Sequence, residues 1–113
     1  MLRADAFPVI RWVRCGRREY AGGVIRRRVI VHGYVQGVGY RYTARAQASR
    51  LGVGGWIRNR ADGTVEAEVE GDEASVAAML EYLAAGPRDA MVERTDVSEL
   101  QPTGDDDTFG IIT

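Results

Sequence analysis

The run of periodicities along this chain predicts an α+β sandwich of order βαββαβ, in which an antiparallel or mixed sheet carries two helices on one face. Three observations carry that expectation. Two segments with apolar residues at helical spacing, one beginning at Tyr40 and one ending at Leu83, alternate with segments of two-residue alternation. Three glycines in seven residues, Gly33, Gly37 and Gly39, separate the first strand pattern from the first helix pattern. Asp62 and Gly63 stand between two strand patterns, a hairpin signal.

Taken in order, Arg27 to His32 sets Val29 and Val31 against Ile30 and His32, which suits a first strand buried between a helix layer and its neighbours. Tyr40, Ala44, Ala48 and Leu51 then form one stripe of a helix that Gly52 can end. Gly55 to Arg60 returns to alternation. Thr64 to Glu70 follows, with Val65, Ala67 and Val69 on one face and Glu66, Glu68 and Glu70 on the other, so one face of the sheet is expected to be wet. Gly71 and Asp72 open a second helix, in which Val76, Met79, Leu80 and Leu83 keep the i, i+3, i+4, i+7 pattern until Gly86 and Pro87 stop it. A fourth strand, 91–100, alternates weakly, with Glu93, Arg94, Thr95 and Asp96 obscuring its register, and a short one, 108–112, follows the acidic turn Asp105 to Asp107. The order is that of the ferredoxin-like plan.

The 113 residues suit one domain with a modest core. No apolar run approaches the roughly 18 to 20 residues of a membrane-spanning helix, and the N-terminus lacks an apolar signal core, so a cytoplasmic protein is expected. Cys15 and His32 are the lone Cys and His, which excludes an intrachain disulfide and a zinc site of the usual type; no cofactor or metal is indicated. Charge is uneven. Residues 1–28 hold eight Arg against Asp5 and Glu19, whereas the remainder holds seven Arg against fourteen acids, so the front end reads as foreign to the domain. Residues 1–24 are accordingly expected to be a flexible Arg-rich extension and 25–113 the folded domain. Pro8, Gly16, Gly22 and Gly23 interrupt any amphipathic transit helix there, and a misassigned translation start accounts for the segment equally well.

Gly33 to Arg41 has the anatomy of an anion cradle. Its glycines permit a positive φ that turns N–H groups inward, the following helix adds unpaired donors, and Arg41 brings a permanent charge with a forked donor set. A cation at a helix start is disfavoured by roughly 0.3 to 1 kcal/mol, so Arg41 belongs there mainly if an anion lies between it and the loop.

Gly33, Val35, Gln36, Gly37, Val38, Tyr40 and Arg41 meet every specified position of the first acylphosphatase signature, and Gly55, Trp56, Ile57, Arg58, Asn59, Gly63, Thr64, Val65 and Gly71 resemble the second. The resemblance covers about residues 27 to 113. It implies an acylphosphatase fold and the hydrolysis of a carboxyl phosphate to carboxylate and inorganic phosphate by a monomer without metal. It also implies that Gln36, Gly37, Val38, Gly39, Tyr40 and Arg41 form the phosphate-binding loop, with Arg41 on the phosphoryl group and Asn59 positioning the attacking water. Neither motif supplies a general base. An acyl phosphate tolerates this, because carboxylate is a good leaving group and a phosphoryl oxygen can take the proton of the water.

The competing assignments are a turn-forming role for Asn59 and an accessory module of the same fold that binds phosphate or carbamoyl phosphate. Such modules sit in polypeptides much longer than these 113 residues, so a small stand-alone enzyme is the expectation. His32 is expected to be a packed strand residue and Cys15 inert. Tyr34, Tyr40 and Trp56 could stack nucleobases, but Glu66, Glu68 and Glu70 would repel phosphate, so neither a nucleic-acid partner nor a membrane is expected.

Overall fold

The computed structural model describes residues 23–104 and 108–113, so the expectations for residues 1–22, including Cys15, and for the Asp105 to Asp107 turn lie outside the described residues. Elements follow as β1 (Ile25–Tyr34), α1 (Tyr40–Leu51), β2 (Gly54–Asn59), β3 (Val65–Gly71), α2 (Glu73–Ala85), β4 (Met91–Leu100) and β5 (Phe109–Ile111). The sheet order is β4-β1-β3-β2-β5. Its pairings are antiparallel except for β2 with β5, which run parallel, so the sheet is mixed. No described helix is long and apolar enough to cross a membrane.

The predicted stripes meet as expected. Val29, Val31, Ile57, Val65, Ala67 and Val69 cover one sheet face, and Tyr40, Ala44 and Ala48 of α1 with Val76, Met79 and Leu83 of α2 close over it. Fully burying a side chain of this size contributes about 1.5–3 kcal/mol, which is what holds two short helices on the sheet. The second helix begins later than its sequence suggests. Gly71 is the last residue of β3, paired with Ile25, and Asp72 is the N-cap, still extended, so the helix starts at Glu73.

On the helix-free face the solvent meets a layer of arginines rather than the glutamates of β3. Glu66 and Glu70 are buried, because arginines from the flanking strands cross over them. Arg26, opposite Glu70 on β1, reaches Glu70 and Glu68 at 2.8 Å each. Arg28 reaches Glu66 at 2.7 Å from the β1 side and Arg58 reaches it at 2.8 Å from β2. The backbone N–H groups of Thr103 and Gly104 complete the Glu70 carboxylate at 2.9 and 2.8 Å. The charge asymmetry of the sequence is therefore partly internal to the domain, since Arg26 and Arg28 lie in β1 and match the acids of β3.

The edge strand β4 is largely exposed on both faces, which explains why its sequence lacks alternation. Its register is nevertheless set by a long ladder to β1, from Arg26 opposite Leu100 to Tyr34 opposite Met91, with one irregularity at His32/Gly33. His32 is half-buried and pairs with Asp96 at 2.9 Å, a strand role as expected.

Candidate active site

Val35 to Gly39 link β1 to α1 and form the loop read as an anion cradle. Gly37 and Gly39 take φ of 76° and 78°, a region that a side chain strongly disfavours, and both are exposed at the loop surface. Gly39 is also the N-cap of α1 and offers no side-chain acceptor, so the first N–H groups of the helix have neither an intrahelical partner nor a cap. The first turn holds no acid. Among the described residues no carboxylate pairs with Arg41, whereas Arg26, Arg28, Arg58, Arg60 and Arg94 each meet one. The result is a set of unneutralised donors with one permanent charge, suited to an anion and lacking the carboxylates, imidazoles or thiolates that hold a metal.

Tyr40 belongs to this loop by its backbone only. Its side chain is turned into the core, where its hydroxyl donates to the Leu83 carbonyl at 2.6 Å, and burial, with Tyr82 second, pushes the phenol well above its ordinary pKa. It thus pins the start of α1 to α2. The Thr43 N–H and hydroxyl, each 3.1 Å from the Gly39 carbonyl, secure the same turn.

Gln36 is the residue whose part the sequence does not reveal. Its side-chain amide leaves the loop and donates to the Arg60 carbonyl at 2.8 Å and the Thr64 carbonyl at 2.9 Å, the two ends of the β2–β3 turn. Asn59 immediately precedes that turn. A lone polar side chain in a glycine-rich loop is the only local signal of such a tether.

Asn59 is the last residue of β2 and pairs with Val65, which pairs in turn with Val31. Two residues after the fully buried Ile57, it projects to the helix-bearing face. Its Oδ1 is buried and has no hydrogen-bond partner. The turn role falls instead to Asp62, whose Oδ1 accepts from the Thr64 N–H at 3.0 Å and hydroxyl at 2.6 Å. Those bonds, the hydroxyl's first, hold its carboxyl below the ordinary range. With the turn already built by Asp62, Asn59 has no structural acceptor function to account for its orphaned oxygen.

The loop, the start of α1 and Asn59 thus share one end of the helix-bearing face, joined by Gln36. A family model for acylphosphatase matches residues 27–111 of the chain. The acylphosphatase of Anaeromyxobacter dehalogenans (strain 2CP-C) is 47% identical over 87 residues, covering 77% of this chain and 94% of that protein. The crystal structure of acylphosphatase from Bacillus subtilis is similar with a TM-score of 0.75 and 34% identity over 79% of this chain and 99% of that one. A third likeness, to HypF of T. kodakarensis, has a TM-score of 0.70 and 30% identity, and covers 79% of this chain but 12% of the larger one. Sequence motifs, sheet topology and these likenesses agree, and the chain belongs to the acylphosphatase family.

Proposed function

We propose that this chain hydrolyses small acyl phosphates to a carboxylate and inorganic phosphate, with Arg41 binding the phosphoryl group and Asn59 directing the water. The loop N–H groups, the helix start and the Arg41 fork surround the phosphoryl oxygens and stabilise their charge as the P–O bond to the carboxylate lengthens. Asn59 Oδ1 accepts a hydrogen bond from a water and aims its lone pair at phosphorus. The water oxygen bonds to phosphorus, the carboxylate leaves with the bonding pair, and a phosphoryl oxygen takes the proton. Arg41 supplies the neutralisation that a divalent ion supplies in other phosphoryl transfers, so the reaction needs no metal.

The observation that carries this reading is the buried, partnerless Oδ1 of Asn59 beside a donor-rich loop. Buried acceptors are normally satisfied, and one held open at the rim of an anion cradle is explained by a water bound during turnover. Benzoyl phosphate hydrolysis by the purified chain, measured with excess EDTA, tests the proposal. Turnover unaffected by chelation is expected. An inert protein, which the accessory-module assignment predicts, or one that needs an added divalent ion, would overturn it.

A further inference from the structure

At the end of the helix-bearing face opposite Asn59, α1 and β5 enclose a groove of about 370 Å³, a volume that suits a small molecule. Its apolar wall is Ala48, Val53 and Phe109, all buried, and its rim carries Arg45, Ser49 and Thr108, all exposed. Phe109 pairs with Gly55, four residues before Asn59 in β2 and so about 13 Å from it along the strand. No residue from Val35 to Arg41 lines the groove, nor does Asn59. It stands apart from the cradle.

Arg45 reaches this rim without a partner. Among the described residues Arg26, Arg27, Arg28, Arg58, Arg60 and Arg94 each meet a carboxylate, whereas none pairs with Arg45. Its guanidinium stands over the ring of Tyr42, which also lines the groove, 5.5 Å from the centroid. That contact restrains a long side chain while its donors keep no acceptor among the described residues. A restrained, unneutralised fork beside an apolar wall matches a carboxylate on a compact apolar body. A bare phosphate matches it poorly, since its charge would face the apolar wall with one cation to meet it.

We propose that this groove is a second ligand site, for a small monocarboxylate whose apolar body lies against Phe109 and whose carboxylate pairs with Arg45. The site does not rest on the catalytic reading of the cradle. Benzoate is the probe, and titration of the isotopically labelled protein, followed by backbone amide shifts, is the test. Shifts should gather at Ser49, Gly52 and Phe109, and should persist under saturating inorganic phosphate and in Arg41→Ala. Benzamide has the same shape without the charge and should bind about fivefold more weakly, as befits one partly exposed charge pair. Arg45→Gln should remove that difference by weakening benzoate alone. Ser49→Tyr, which brings a ring to the groove from an exposed helix position, should block both ligands. Added KCl should weaken benzoate and spare benzamide. Shifts confined to Gly37, Gly39 and Arg41 and abolished by phosphate would place the carboxylate in the cradle and overturn the inference. Benzoate binding indifferent to Arg45→Gln, or no binding at all, would overturn it equally.

Discussion

The side-chain amide of Gln36 donates to the carbonyl of Arg60 across 2.8 Å and so fastens the cradle to the hairpin that carries Asn59. The same nitrogen reaches the Thr64 carbonyl at 2.9 Å. In Gln36→Ala the two carbonyls lose a donor and the loop loses its tether, at about 1 kcal/mol or more per bond. Because the tether sets the loop against Asn59, kcat should fall about tenfold while inhibition by inorganic phosphate changes little. Gln36→Glu should be worse, since a carboxylate would face two carbonyl oxygens. Equal loss of phosphate binding and kcat in Gln36→Ala would show that the residue shapes the cradle alone.

Asn59→Ala should lower kcat steeply and leave phosphate inhibition nearly unchanged. Since the buried Oδ1 has no partner to lose, the variant should melt no lower than the parent protein, and higher if removal of an unsatisfied acceptor dominates. Asn59→Asp should fare no better in turnover, because a carboxylate beside the bound phosphoryl group repels it. Steady-state kinetics and melting on the one alanine variant check both halves, and a normal kcat would end the water-directing role.

Arg41→Ala should nearly abolish turnover and phosphate binding together, a loss of about 3 kcal/mol or roughly 10² to 10³ in rate. Arg41→Lys should remain badly impaired, as a point charge cannot reproduce the fork. Isothermal titration with inorganic phosphate is the direct check. Unchanged binding in the alanine variant would refute the cradle.

The stability of the fold should depend on pH through its covered glutamates. Burial pushes the Glu70 carboxyl up, but the N–H of Thr103, the Arg26 guanidinium, the N–H of Gly104 and the Thr103 hydroxyl together overcome this and hold it below its ordinary 4.5. For Glu66 burial likewise acts upward, and the Arg28 and Arg58 guanidiniums outweigh it. A carboxyl whose folded pKa is lowered contributes stability that is complete above the unfolded value and is lost as pH falls through the folded one. The melting temperature should therefore be flat near neutrality and decline below about pH 4.5. Glu70→Gln should destabilise by about 3 kcal/mol at neutral pH and flatten the acid decline. An unchanged acid limb in that variant would place the titrating groups elsewhere.

Much of this protein is legible in local sequence. Periods of two and near four name the elements and their buried faces, because the helix and the pleat impose those periods on any side chain that must leave water. Glycine spacing before Tyr40 marks the cradle, since a positive φ is a property of single residues. Asn59 and Arg41 stand out by motif. What local sequence does not carry is who meets whom across the sheet. Arg26 reads as part of a basic leader until β1 lies against β3 and places it on Glu70, 44 residues away. Glu66 and Glu70 read as a solvated stripe because alternation reports only that a face is polar, and cannot tell water from arginine. Tyr40 is legible as a residue of the buried helix stripe, but the partner of its hydroxyl, the Leu83 carbonyl, is supplied only when α2 packs beside α1. Gln36 finds the Arg60 carbonyl 24 residues on. Backbone conformation and amphipathic period are decided within a few residues, whereas ion pairs, tethers and cavities depend on strand register, which closes only when the whole sheet has formed.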